Sequence, residues 1–303
     1  MSLVSVIIPT YYRNGDLEKA IISTRNQTYL DIEIIIVDDS GERHAEPVCD
    51  EYDVTYIGKS ENEGPMAAWN TGFECANGKY IQILDDDDQL FPKKIEKQVK
   101  LLSSDDDVGV VHCGMRWDFG VNELPDPDMF GDVLPTVLTL DTSPCVTSTL
   151  LMDSTVLRQF FPISEYDGAA DDVLKIELAK RTHFDYVDEV LILRGTGEDN
   201  ISTGMAPILA SERILNDYSD LYQQMGAGLC RRAQSKILYR KGYALLSEKV
   251  WSAEAITCFV KSVYLSPTRD FRAIPILIAA FGGRFGISML EKMGIYIRQV
   301  ISP

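Results

Sequence analysis

Four short runs of aliphatic and β-branched residues within the first ninety positions constrain this chain more than any other feature. Leu3 to Ile8 and Glu33 to Val37 carry apolar side chains on both faces, the pattern of strands buried inside a parallel sheet. Val54 to Ile57 and Lys79 to Leu84 read as two further strands. Helix-like stretches separate them: Gly15 to Gln27, with Asp16 as its N-cap; Met66 to Ala76, after the turn Asn62-Glu63-Gly64-Pro65; and Pro92 to Leu102, with proline in its first turn. This order predicts an α/β fold built on a mixed, mostly parallel sheet with helices on both faces. Ligands in such sheets bind beyond the carboxyl ends of the strands. Here those ends carry Pro9-Thr10-Tyr11, Asp38-Asp39 and Asp85-Asp86-Asp87-Asp88.

Four consecutive carboxylates at a strand end repel one another unless a cation neutralises them. Mg²⁺ takes one or two protein carboxylates and fills its remaining positions with phosphate oxygens and water, which leaves room for a nucleotide diphosphate. The competing reading is a solvated acidic turn that caps the next helix. The run by itself does not choose between the two.

Composition removes other classes. The net charge of −17 argues against a nucleic-acid partner. Six scattered cysteines without a CxxC pair suit a reducing cytosol, and three separated histidines form no zinc pattern. Val4 to Pro9 is too short and lacks the basic leader of a secretory signal. The longest near-apolar run, Ala273 to Gly283, is about half of the roughly 20 residues that span a bilayer. The expectation is a cytoplasmic protein, soluble or peripheral on the inner face of the membrane.

Charge is unevenly placed. Residues 228–303 hold 12 Lys or Arg against 4 Asp or Glu, a surplus of +8 that leaves −25 on residues 1–227. Arg269, Arg272, Arg284, Lys292 and Arg298 alternate with Phe271, Ile274, Ile276, Leu277, Ile278, Phe281 and Phe285. That mixture suits an amphipathic helix on anionic lipid, and equally one packed on the acidic body. From about residue 206 the pattern is helical, and Tyr239 to Pro267 resembles one tetratricopeptide-like hairpin. Before it, Val108 to Cys113, Val146 to Met152 and Tyr186 to Arg194 read as strands, and Ala170 to Lys180 as a helix opened by Asp171-Asp172.

The order Val4-Ser5-Val6-Ile7-Ile8-Pro9-Thr10-Tyr11, Glu33-Ile34-Ile35-Ile36-Val37-Asp38-Asp39-Ser40, Asn62-Glu63-Gly64-Pro65 with Ala67, Asn70 and Gly72, then Gly78-Lys79-Tyr80-Ile81 leading to Leu84-Asp85-Asp86-Asp87-Asp88 and Pro92, resembles the family 2 glycosyltransferases of GT-A fold, bacterial polysaccharide type. The resemblance is specific over residues 3–102 and looser to about 204. It implies a GT-A catalytic domain over 1–204, with a nucleotide-sugar half at 1–104 and an acceptor half at 105–204, followed by a helical region at 205–303.

The resemblance also implies roles. Thr10 and Tyr11 match the position that lines the base, and Asp39 the carboxylate that accepts a hydrogen bond from it, supported by Asp38. Asp85 and Asp87 match the outer members of the D-x-D, with Asp87 as direct ligand of Mg²⁺ or Mn²⁺ and Asp85 beside it, while Asp86 lies near the ribose or diphosphate. Pro9, Arg13, Asn62, Gly64, Asn70 and Arg194 complete the donor set, and Asp88 is left to cap the next helix. Asp172, the second member of the acidic pair, matches the catalytic base, although both aspartates could simply cap their helix. The histidine that many members carry after this strand is missing from Gly195-Thr196-Gly197-Glu198-Asp199-Asn200-Ile201-Ser202, where Asn200 could serve and two glycines suit a mobile lid.

The expected activity is an inverting, metal-dependent transfer of a sugar, UDP-linked by preference, to a hydroxyl of a glycan or lipid-linked acceptor in cell-envelope polysaccharide synthesis. A non-catalytic sugar-nucleotide-binding or scaffold protein is the alternative. A sugar-nucleotide pyrophosphorylase would need a glycine-rich basic loop where Pro9-Thr10-Tyr11-Tyr12-Arg13-Asn14 stands.

Overall fold

Three of the four apolar runs make strands that are buried on both faces over most of their length, and the run at Thr55–Gly58 is only half-buried. β1 (Val4–Thr10) runs parallel between β2 (Ile32–Asp38) and β4 (Tyr80–Ile83), and β3 (Thr55–Gly58) lies parallel to β2. Val4, Val6, Ile7 and Ile8 are all wholly buried. Leu17 and Ile21 of α1 (Asn14–Arg25) join Val6, Ile8 and Ile36 in one apolar cluster. The opposite side of the sheet, with Ile7 and Val37, is covered by α3 (Pro65–Cys75); Gly72 of α3 lies so close that a Cβ there would stand 2.3 Å from Cγ2 of Ile7. Period-two alternation between two helical layers is thus what buries both faces. A short α2 (Glu46–Cys49) precedes β3.

The computed structural model describes residues 2–164, 166, 168–196, 204–248, 250–266 and 280–292. They divide into two compact units. The first comprises Met1–Leu134, Pro144–Glu165 and Leu174–Asn200, the second Pro135–Ser143, Tyr166–Val173 and Ile201–Pro303.

In the first unit the sheet continues past β4 with mixed directions. β5 (Gln89–Leu90), α4 (Lys94–Leu102), β6 (Val108–Trp117) and β7 (Asn122–Glu123) follow in the chain, then α5 (Leu134–Val137), β8 (Leu151–Asp153), α6 (Ser154–Leu157), α7 (Ala170–Ala179) and β9 (His183–Arg194); α5 beyond Leu134 and α7 up to Val173 are counted with the second unit. The spatial order is β3-β2-β1-β4-β8-β6-β9-β5, with β7 paired to β6. β6 and β9 are parallel, whereas β4–β8, β6–β8, β5–β9 and β6–β7 are antiparallel.

Two local expectations are corrected. Asp16 lies inside the first turn of α1, paired with Lys19 at 2.8 Å, and Arg13 is the N-cap residue without a side-chain cap. The strand expected over Val146 to Met152 is a 3₁₀ turn at Thr147–Thr149 followed by the three residues of β8. The carbonyls of Ser148 and Thr149 accept hydrogen bonds from the side-chain amides of Gln82 (3.0 Å) and Gln98 (2.8 Å), so they are unavailable to a strand ladder.

The second unit is helical over its longer stretches: α8 (Ala206–Asp217), α9 (Ser219–Met225), α10 (Ala227–Glu248), α11 (Ala253–Leu265) and α12 (Gly283–Lys292). Ser252 caps α11 by accepting the Ala255 N–H at 3.2 Å. α11 returns along α10, with Ser235 and Ser262 each donating its hydroxyl to the other's carbonyl. A Cβ on Gly242 would stand 2.9 Å from the Phe259 ring, so glycine permits this close helix contact. Among the described residues no helix is long and apolar enough to cross a membrane. Asn200, Pro267 and most of the basic and aromatic segment, from Arg269 to Ile278 and at Arg298, lie outside the described residues.

Candidate active site

At the carboxyl ends of β1, β2 and β4, polar side chains are tied together across the three strands. The end of β1 supplies Thr10, whose buried hydroxyl donates to Asp86 Oδ2 at 2.8 Å. Three residues on, Arg13 reaches Asp86 Oδ1 at 3.3 Å and Asp87 Oδ2 at 3.0 Å. Thr10 therefore holds the acidic run in place. Tyr11 is half exposed and free to offer a ring face, and it meets Tyr12 edge to face at 4.7 Å. Tyr12, with φ at 56°, leans on His44.

At the end of β2 the two aspartates have separate jobs. Asp38 is buried and accepts hydrogen bonds from the amides of Ser40 (2.9 Å) and Ala45 (2.7 Å) and from the Tyr56 hydroxyl (2.9 Å). Burial opposes its ionisation, yet these donors hold its carboxyl below the usual range. Asp39 accepts the amides of Glu63 (3.0 Å) and Gly64 (2.8 Å), with the Lys59 ammonium 3.7 Å away. Gly64, at φ 88°, takes a backbone shape that favours glycine, and Asn62 Oδ1 also accepts its N–H at 3.0 Å. Asn62 and Gly64 thus shape the turn that orients Asp39. Pro9 pairs in register with Val37 in the strand ladder.

Asn70 of α3 is tied to the backbone of Ile163. Its amide donates to Ile163 O at 3.0 Å and its carbonyl accepts Ile163 N–H at 2.9 Å. A side chain engaged at both ends by one backbone residue is a strut between α3 and that segment.

The acidic run forms a tight turn, with Asp88 N–H donating to Asp85 O at 3.0 Å. Burial first, then the charges of Asp88 and Asp87, push the Asp85 carboxyl well above its ordinary range, against the pull of Arg194. Asp86 is lifted to about 6 by burial, opposed by Thr10 and Arg13. Asp88 is likewise lifted to about 6 by burial, opposed by Arg194. Burial is the largest cause of all three shifts, and Arg13 and Arg194 counter it only in part. Among the described residues no three His, Cys, Asp or Glu side chains converge as a preformed metal cage. A cluster of hard oxygen donors short of positive charge fits a divalent cation that completes its shell from a phosphate ligand.

Asp88 does not cap the next helix: α4 starts after Lys93, which makes no side-chain cap. Instead Asp88 is buried and accepts the Gly195 N–H at 2.9 Å, just beyond β9. A Cβ on Gly195 would lie 2.4 Å from the Asp87 carbonyl oxygen, so the end of β9 rests directly on the acidic run. Arg194 stacks on Trp117 at 4.8 Å, and Thr196 is tied to Asp118 by its amide (3.1 Å) and hydroxyl (2.7 Å). The sequence pattern gave Asp88 only a capping role and did not point to Trp117 or Asp118. Their partners lie tens of residues away, and the only available signal was that Asp88 follows a D-x-D immediately.

Asp172 belongs to the second unit. It lies in the first turn of α7, and the Arg240 guanidinium of α10 stands 3.9 Å from its Oδ2. Arg240 was also not anticipated.

The sequence pattern described as Glycosyl transferase family 2 matches residues 5–160, half of the chain, and this chain belongs to that family. An uncharacterized glycosyltransferase of Rickettsia prowazekii is 40% identical over 115 residues, 37% of this chain and 36% of its own length. The GalNAc(5)-diNAcBac-PP-undecaprenol beta-1,3-glucosyltransferase of Campylobacter jejuni is 36% identical over 96 residues, 30% of this chain and 31% of its own length. The chain thus spans only about a third of the length of these relatives. Two solved structures show the same fold. S. aureus TarS 1-349, in complex with UDP-GlcNAc, has a TM-score of 0.61 at 15% identity, covering 96% of this chain and 92% of its own. Mannosyltransferase PcManGT from Pyrobaculum calidifontis, in complex with GDP-Man and Mn²⁺, has a TM-score of 0.62 at 16% identity, covering 99% and 85%. The architecture is therefore GT-A.

Proposed function

We propose that this protein transfers a sugar, with inversion, from a nucleoside diphosphate donor to a hydroxyl of a glycan or lipid-linked acceptor. The observation that carries this reading is the charge-deficient acidic run joined to the end of β1 by Thr10 and Arg13 and set beside the β2 end with its paired aspartates. Mg²⁺ or Mn²⁺, when bound at Asp87 with Asp85, supplies charge that stabilises the departing diphosphate. The names of the relatives support the wider class: two structural neighbours hold UDP-GlcNAc and GDP-Man, and one relative is named for an undecaprenol-linked acceptor.

The chain's own groups do the rest. The Tyr11 ring offers a stacking face to the base, UDP being the favoured nucleotide. Asp39 keeps acceptor capacity beyond its two backbone amides and is oriented to take a base N–H. Arg194, fixed against Trp117 and close enough to lower the carboxyls of the run, supplies fixed positive charge near the diphosphate. Asp172 takes the proton from the attacking hydroxyl, and the Arg240 guanidinium 3.9 Å away helps to orient that carboxylate.

Thermal melts with UDP, with and without Mn²⁺, test the donor site. UDP raises the melting temperature only with Mn²⁺, and Asp87→Ala removes the rise. Asp172→Asn keeps that rise while transfer falls by about 10²–10⁴-fold. Normal transfer by Asp172→Asn would take the residue out of the mechanism.

A further inference from the structure

We infer that the exposed apolar corner around the start of α12 is a docking surface for anionic lipid. Large apolar side chains gather there without cover. Phe281, just ahead of α12, and Phe285 and Met289, four residues apart on it, are 65%, 79% and 56% exposed. Val250 and Trp251 are 79% and 55% exposed and belong to the same corner, because Gly283 packs against them: a Cβ there would lie 2.2 Å from Val250 O and 3.3 Å from the Trp251 ring. Soluble proteins seldom display so many large apolar side chains side by side without a partner.

Charge selects the partner. The corner sits in the one basic stretch of an acidic chain, +8 over residues 228–303 against −25 over the rest. Arg231, Arg232 and Lys261 on α10 and α11 are exposed. An anionic surface attracts this stretch, to which the apolar corner belongs. Tryptophan and phenylalanine then enter the headgroup boundary as the apolar face of an interfacial element. A second copy of the chain is a poorer occupant, because a twofold contact at this corner would bring two basic stretches together. The inference does not depend on glycosyl transfer.

The test uses the full chain with phosphatidylcholine vesicles, made with and without phosphatidylglycerol, in a sedimentation assay at low and high salt. The chain should pellet with the anionic vesicles, less so at high salt. Phe285→Ser/Met289→Ser should weaken that binding by about tenfold or more while the helical circular dichroism and the UDP-dependent melting rise stay as in the wild type. Three results overturn the inference: no binding to anionic vesicles, equal binding by the variant, or a wild-type dimer that the variant converts to monomer. The melting rise is read on the same samples, so a failed donor site and a failed lipid surface give different outcomes.

Discussion

Two buried charged clusters lie a few residues apart in the first unit, and they are built on opposite plans. In the acidic run, carboxylates crowd together and arginines offset them only in part. Lys94 of α4 is a single wholly buried ammonium with no carboxylate among its partners. It donates to the carbonyl oxygens of Gln82 and of Gln98, the latter at 2.7 Å, and burial lowers its pKa to about 8. The two glutamines turn their amide ends outward, to Ser148 O, Val111 O and Thr149 O. The lysine cluster is therefore closed, with each charge or dipole met by another. The acidic cluster is open and lacks positive charge, which is the condition of a group that awaits a ligand. Burial of charge alone does not mark a function; incomplete neutralisation does.

The largest effect that would sharpen this contrast is expected at Gly195. Gly195→Ala must displace the Asp87 carbonyl, and transfer should fall by about a hundredfold, because small misplacements of reacting groups are that costly. The melting temperature should drop by only a few degrees. Lys94→Met should behave the other way round. It leaves two buried carbonyl oxygens unpaired and should destabilise by about 1–3 kcal/mol, with transfer kept within a few-fold. If Lys94→Met instead lowered transfer as much as Gly195→Ala, the two clusters would be one device and the contrast would fail.

pH separates the clusters in sign. The folded-state pKa of Lys94 lies below its ordinary value of 10.5, so the unfolded chain binds more protons between about 8 and 10.5. Wild-type stability should therefore rise across that window relative to Lys94→Met, by at most about 3 kcal/mol. Asp88 is raised from 3.8 to about 6, so its contribution is fully present below about 4 and is lost as pH rises through about 6. Denaturant melts of metal-free protein should show Asp88→Asn more stable than wild type at pH 7, by about 1–3 kcal/mol, with the gap closing toward pH 4. A gap that widened on acidification would reverse the reading of the acidic run.

A pH effect on stability alone is expected at His112, buried on β6 with Nε2 2.9 Å from Met129 O. Burial lowers its pKa to about 4. Stability should be lost as pH falls from about 6.5 toward 4, and His112→Asn should flatten that slope without altering transfer.

The parallel strands were legible because their information is local: β-branched residues on both faces, stopped by proline or aspartate, leave little else to fold into. Thr10, Asp39 and the acidic run were legible as a set because they end strands that the pattern had already located. What could not be read depends on partners far along the chain. Val146 to Met152 has strand composition, but glutamines at 82 and 98 take its carbonyls. Asn70 looked like part of a ligand site, yet Ile163 engages both ends of its amide. Asp88 looked like a cap until β9 brought Gly195 to it. Local pattern located the backbone, whereas the exact acceptor of each polar side chain emerged only with the tertiary arrangement.

β9 has 12 residues against the 10 of β6; their pairing shifts register at Val108/Val110, where β6 carries the extra residue, and at Cys113/Gly114 and Gly114/Met115, where β9 does. The surplus is absorbed in mid-strand, and Arg194 still arrives opposite Trp117. Because Gly195 then sits against Asp87, the effective length of β9 shapes the acidic run as much as any side chain does. A single residue inserted after the bulges would carry the strand end forward by about 3.3 Å and reverse the face of each side chain it passes. The same insertion before them could be taken up as another bulge. Tolerance to insertion and deletion along β9 should thus change abruptly at Ile192, a boundary set by spacing and invisible to any comparison of residue types.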